Sequence, residues 1–149
     1  MPFTNAVLQE SFRVSSLAYS GVPRSAQEDI QVGSYTIPKG ATVTAFLYHV
    51  HHDPKYYKDP KTFNPSRFID ASGNFINDER VIPFGIGKRF CLGQSLAQKE
   101  FFIFFTGLVQ QFEFKQAPGT VLPSYSDIYP PGFLRNVPPY EVVLKKRLL

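Results

Sequence analysis

Phe84-Gly85-Ile86-Gly87-Lys88-Arg89-Phe90-Cys91-Leu92-Gly93 is the stretch on which the reading of this chain turns. It holds the only cysteine, approached by two glycines and two cations, and an apolar helical pattern opens behind it. A thiolate is stabilised by nearby cations, by backbone N–H donors and by a helix N-terminus, and this loop offers all three. Gly85 and Gly87 can take positive φ and fold the backbone tightly around the sulfur, while Gly93 leaves room beside it for a flat partner.

Working outward, 149 residues make one domain of ordinary size. Hydrophobic residues are 43% of the chain, enough for a sizeable core, which argues against disorder. Thirteen prolines require many turns and irregular connections. The net charge is +4, and the basic residues are scattered apart from Lys88-Arg89 and Lys145-Lys146-Arg147. That distribution lacks the basic stripe of a nucleic-acid module. A single cysteine excludes an internal disulfide framework and all-cysteine metal sites. No signal-peptide pattern follows Met1, and no run approaches the roughly 18 apolar residues of a membrane span.

Upstream of the loop, Pro2 to Val14 has a helical pattern with a first-turn proline. Phe3, Ala6, Val7, Glu10, Arg13 and Val14 share one face, and Leu8 and Phe12 lie opposite. A helix apolar nearly all round is expected to be buried. Glu10 and Arg13, three apart, are either a surface pair or, because they fall in the apolar stripe, a buried structural ion pair; the stripe favours the second. Ser15 to Arg24 reads as loop, Asp29–Val32 and Ser34–Ile37 as a hairpin about Gly33, and Ala41–Leu47 as a strand. His49, His51 and His52 lack metal-site spacing: His49 and His52 share a helix face, but only Asp53 is nearby as a further ligand. Solvated or structural histidines fit better. Lys55–Lys58 reads as a helical turn, Phe63–Phe68 as a compact loop bearing Arg67, and Asp70–Glu79 as a surface loop. Arg67 gains interest only if it reaches the Glu10–Arg13 pair. Downstream, Leu92–Val109 predicts a long helix, amphipathic to buried, followed by strands at Phe112–Lys115 and Tyr140–Leu144 and a turn at Gly132-Phe133-Leu134.

Three uses of the Cys91 thiolate compete. A phosphatase loop needs an arginine six residues on, where Ala97 stands. A cysteine protease needs a base histidine, and nothing around the three histidines looks like an orienting site. A nucleotide loop fails as well, with Ile82 in place of its first glycine and Arg89 in place of Ser or Thr. Ligation of haem iron by one thiolate needs one cysteine, glycines for close approach and a cation for a propionate.

The pattern Phe84-x-x-Gly87-x-Arg89-x-Cys91-x-Gly93 resembles the haem-binding signature of the cytochrome P450 monooxygenases at every defining position. Glu10-Ser11-Phe12-Arg13 resembles that family's Glu-x-x-Arg helix, and Asn64-Pro65-Ser66-Arg67-Phe68 its Pro-x-Arg-Phe loop, in the family's order and spacing. Ile37-Pro38-Lys39-Gly40 looks most like the microsomal, family-2-like branch. Ser66 stands where many members have Glu, and Tyr57 where Trp is frequent.

The resemblance implies a mainly α fold with small β-sheets. It would be the C-terminal third of the family's domain, spanning residues 1–149: a Glu-x-x-Arg helix, short hairpins, a meander loop, the Cys loop, a long proximal helix and C-terminal strands. It implies haem b as cofactor, with Cys91 as the proximal thiolate ligand whose electron donation favours O–O cleavage. It places Arg89 and Arg24 on the propionates, Phe84 against the sulfur, and Gly85, Gly87 and Gly93 around the cofactor. Glu10, Arg13 and Arg67 would form a buried ion-pair triad. Leu17, Ala18, Val22, Phe133 and Leu134 would touch substrate, and Lys88 would face an acidic redox partner. The implied activity is insertion of one atom of O₂ into an apolar substrate, with electrons from an NADPH-dependent reductase and cytochrome b5 as a further candidate donor. The implied location is the cytoplasmic face of the endoplasmic reticulum membrane, through an N-terminal anchor outside this chain. The oxygen-activating helix is also outside it, so a partial sequence is expected. The competing expectations are a non-catalytic truncated remnant or an interaction module without functional haem.

Overall fold

The computed structural model describes residues 1–123 and 134–148. Helix α1 runs Pro2–Ser15, with proline in its first turn as its missing N–H favours. It ends where Ser16 adopts the left-handed conformation (φ 39°) and its N–H closes on the Phe12 carbonyl. Ser16 is not a glycine, and its buried hydroxyl is held on both sides, donating to the Arg13 carbonyl at 2.7 Å and meeting His51 Nδ1 at 2.8 Å.

Among the described residues three small antiparallel sheets follow. Strand β1 (Arg24–Ser25) pairs with β4 (Thr42–Val43). Between them β2 (Ile30–Val32) and β3 (Tyr35–Ile37) form the expected hairpin, with Gly33 at φ 61° in the turn. The strand expected over Ala41–Leu47 shrinks to Thr42–Val43, because β1 offers only two residues to pair with. Leu47 instead opens a short helix, α2 (Leu47–His51). Neither β1 nor α2 was expected.

From Asp53 to Val81 the chain is a run of hydrogen-bonded turns. One is a 3-10 turn at Pro65–Phe68, whose Asn64 side chain accepts the Ser66 N–H at 3.1 Å. A second 3-10 turn, Gly87–Arg89, lies in the cysteine loop. Helix α3 (Gln94–Gln111) starts two residues later than expected, since Leu92 and Gly93 form a turn. Strands β5 (Phe112–Gln116) and β6 (Val142–Lys146) pair over five residues.

The buried core is small. Ala6 of α1 meets Tyr57 and Phe68, with Ile69, Phe75 and Val81 packed alongside. Two expectations of burial are corrected here. Helix α1 buries Ala6, Leu8, Gln9, Glu10, Arg13 and Val14 but exposes Phe3. Helix α3 buries no residue: Leu96, Ile103 and Phe104 are each more than 60% exposed. Its apolar sequence has few described partners over most of its surface, the ring of Phe12 against Phe101 being one. No helix among the described residues is long and apolar enough to cross a membrane.

Candidate functional site: a thiol crevice beside a buried ion-pair network

The inward face of α1 carries a charged cluster with no exposed side-chain surface on Glu10 or Arg13. Arg13 Nε donates to Glu10 Oε2 at 2.7 Å and Nη2 to Glu10 Oε1 at 2.8 Å, a bidentate fork. Arg13 Nη1 donates to the carbonyls of His51 and Pro60 at 2.7 and 2.8 Å, and the guanidinium lies 4.8 Å from the centre of the Tyr57 ring. Glu10 Oε1 also accepts the Asn64 N–H at 2.8 Å and Arg67 Nε at 3.2 Å. Arg67 continues outward to the carbonyls of Lys58, Asp59 and Thr62 at 2.7, 3.0 and 3.1 Å. Two charges leave water here because nearly every donor and lone pair is met. The cluster ties α1 to the meander of turns between residues 51 and 67.

His51, fully buried, extends the cluster. The Ile82 N–H donates to its Nε2 at 2.9 Å, so its proton sits on Nδ1 and is donated to Ser16 Oγ at 2.8 Å. Burial, then the neighbouring His52 and Arg13, lower the His51 pKa from 6.5 to about 4. His52 falls to about 4 as well, first through burial, against the hydrogen bond to the Tyr48 carbonyl. Ser16 and His51 are no nucleophile–base pair, since the imidazole proton already points at the hydroxyl, which is committed to the Arg13 carbonyl. Among the described residues no group of three or more His, Cys, Asp or Glu side chains gathers that could hold a metal ion. Tyr57 donates its hydroxyl to Asp78 Oδ2 at 3.0 Å, and burial raises its pKa.

Behind α1 opens an apolar crevice of about 410 Å³. Leu17, Ala18, Val22, Arg24, Phe84, Gly85, Arg89 and Cys91 are among the residues that line it. Cys91 is exposed, its N–H held by the Phe84 carbonyl at 2.8 Å. Gly85 and Gly87 both take φ 73°, a left-handed conformation that suits glycine. A methyl group at position 93 would sit 3.9 Å from the Cys91 sulfur, so glycine keeps that side bare. Arg24 and Arg89, distant in sequence, meet here: Arg24 Nη2 donates to the Arg89 carbonyl at 3.1 Å. Neither forms an ion pair with a described carboxylate. Two unneutralised guanidinium groups on one rim favour an anionic ligand edge.

Other predicted residues stand outside the crevice. Gly87 and Lys88 lie in the neighbouring 3-10 turn. Leu134 is exposed and bridges antiparallel to Ala18, which brings the C-terminal segment to the crevice's edge. Gly132 and Phe133 lie outside the described residues. No histidine lines the crevice, so Cys91 has no adjacent base of the protease kind.

A family model described as Cytochrome P450 matches residues 1–144. The chain belongs to the cytochrome P450 family. It is 40% identical over 147 residues to a farnesoate epoxidase of Bombyx mori, 39% over 148 residues to Cytochrome P450 2S1 of Homo sapiens and 41% over 144 residues to Cytochrome P450 2B4 of Oryctolagus cuniculus. These alignments cover 95–99% of this chain and 29% of each relative, so the chain spans under a third of their length. It is a P450 fold fragment of helices and small antiparallel sheets.

Within this P450 chain three contributors escaped the motif reading. Leu47, at the start of α2, lines the crevice. His51 buttresses both Ser16 and Ile82; its spacing favoured a solvated or structural histidine over a metal ligand but did not name these partners. Phe12 stands between the helix motif and the cysteine loop, its ring 5.4 Å from Phe84 and 5.1 Å from Phe101. No local spacing signals any of the three, because their partners are far along the chain.

Proposed function

We propose that the complete protein carrying this chain is a haem-thiolate monooxygenase and that residues 1–149 form one continuous part of its catalytic domain, equivalent to its C-terminal third. The observation that carries the reading is the crevice that unites Cys91 with Arg24, Arg89 and apolar walls. These residues fit haem b: a soft sulfur donor for iron, apolar surface for a flat macrocycle, and two cations, unpaired with any described carboxylate, for its own carboxylates.

Haem bound there would supply activation of O₂ and insertion of one oxygen atom into an apolar substrate, the second leaving as water. The chain's own residues have separate tasks. Cys91 would present its sulfur to the iron as a thiolate ligand. Arg24 and Arg89 would orient the cofactor by its carboxylates. Gly85 and Gly87 would hold the loop close, and Gly93 would leave the sulfur uncrowded. Phe84 would shield the sulfur from water, as would Leu17, Ala18 and Val22 of the crevice lining, and Leu17, Ala18, Val22 and Leu134 are the described candidates to meet substrate, with Phe133 proposed from the family resemblance alone. Glu10, Arg13 and Arg67 would keep the proximal side rigid. Electrons would come from an NADPH-dependent reductase docking near Lys88, with cytochrome b5 as a second donor, at the cytoplasmic face of the endoplasmic reticulum membrane. That one relative is named for farnesoate supports an apolar substrate class.

The test is the carbon monoxide difference spectrum of the reduced complete protein. A thiolate-type Soret band is expected, and its loss in Cys91→Ala. A missing band in the unaltered protein, or a band that survives Cys91→Ala, overturns the reading.

The bare apolar surface of α3 favours a second reading for the 149-residue chain taken alone: an interaction module without functional haem. Haem titration of the isolated chain separates the two. Tight one-to-one uptake rules out the module.

A further inference from the structure

We propose that Phe12 is a positioning residue for the Cys91 sulfur, acting through Phe84; the inference rests on the haem-thiolate reading above and adds a residue to it. The loop from Phe84 to Cys91 has little packing of its own. Gly85 and Gly87 have open space around them, and Phe90 and Cys91 are exposed. Its tie to the sulfur's residue is the Phe84 carbonyl, which accepts the Cys91 N–H at 2.8 Å, while on the helix side the Cys91 carbonyl accepts the Gln94 N–H at 3.2 Å. The position of Phe84 therefore bears directly on that of Cys91.

Among the described residues Phe12 is the aromatic ring against Phe84, edge-on at 5.4 Å and 67°. The same ring meets Phe101 of α3 edge-on at 5.1 Å and 71°, so it joins α1, the cysteine loop and α3. Edge-to-face pairs prefer this geometry because a ring's positive edge meets its neighbour's negative face. Phe12 is itself well anchored. It lies between Glu10 and Arg13, both fully buried and hydrogen-bonded on either side. Phe12 and Phe84 also form part of the wall between the thiol crevice and a second crevice of about 420 Å³ on the far side. Rigidity in the ion-pair cluster thus reaches the sulfur through one ring. Outer groups that fix a metal ligand tune the metal's potential, which makes the potential the proper readout.

The experiment uses the haem-loaded complete protein with Phe12→Ala, Phe12→Leu and Phe12→Tyr, read by the reduced carbon monoxide spectrum and by the ferric–ferrous midpoint potential. Phe12→Leu keeps apolar bulk but lacks a ring edge, and it remains informative if Phe12→Ala fails to fold. Expected are a shifted potential in Phe12→Leu, about tenfold faster loss of the thiolate band on warming, the scale of two lost aromatic pairs, and wild-type values in Phe12→Tyr. In a Phe84→Ala background, Phe12→Leu should produce no further shift. A wild-type potential and band lifetime in Phe12→Leu overturn the proposal, as does an undiminished shift in the Phe84→Ala background. If the unaltered protein lacks the thiolate band, the haem-thiolate reading fails instead.

Discussion

The two faces of α1 obey opposite rules. Inward, Glu10 and Arg13 are sealed from water and hydrogen-bonded at almost every polar atom. Toward the crevice, Cys91, Arg24 and Arg89 are exposed, and neither arginine pairs with a carboxylate among the described residues. The first arrangement satisfies charge inside the protein and so builds rigidity. The second leaves charge and a sulfur unsatisfied and so is suited to binding. A scaffold and a site differ in whether their polar groups have already met.

That contrast can be broken from the scaffold side first. Arg13→Ala should strand the Glu10 carboxylate and cost roughly 3–5 kcal/mol. Denaturant titration of the complete protein should register that loss, and haem content should fall with it. A stable holoprotein with normal haem would show that the cluster is dispensable. Arg67→Ala should cost less, about 1.5–3 kcal/mol, because its side chain is 13% exposed and Glu10 keeps its Arg13 fork. An equal or larger loss than in Arg13→Ala would reverse the order of the two arginines.

Acid should act on the scaffold next. His51 and His52 have folded pKa values near 4, below their ordinary 6.5, so the unfolded chain takes up their protons first. Their contribution to stability is present above about pH 6.5 and lost as pH falls toward 4. Calorimetry across that window should show a falling Tm, with a shallower slope in His52→Gln. A flat Tm would mean the histidines titrate normally.

On the site side, Cys91→Ala should alter stability of the cofactor-free protein by no more than about 0.5 kcal/mol, because an exposed side chain without packing contributes little. The same change should abolish the thiolate band. A large loss of cofactor-free stability would make Cys91 part of the scaffold and erase the distinction.

The motifs were legible because their chemistry is local. Helix spacing puts Glu10 and Arg13 one turn apart, and the glycines of the cysteine loop state their backbone needs residue by residue. The β2–β3 hairpin was legible from Gly33 for the same reason. Burial was not. The apolar richness of α3 reads as a buried helix, yet its sides have few described partners, and periodicity cannot say whether a neighbour exists. The strand at Ala41–Leu47 was overextended because pairing length depends on β1, some 17 residues earlier.

By itself, then, the sequence determined the chemical kinds: a lone thiol in a glycine- and cation-rich loop, an ion pair on a helix stripe, and the family to which they belong. Tertiary structure decided who meets whom. It brought Arg24 to Arg89, Arg67 and Asn64 to Glu10, His51 to Ser16 and Ile82, and Phe12 to Phe84. Those meetings span tens of residues. Short-range backbone preferences cannot encode them, because closing such loops is decided by the sum of packing and hydrogen bonding at the far end.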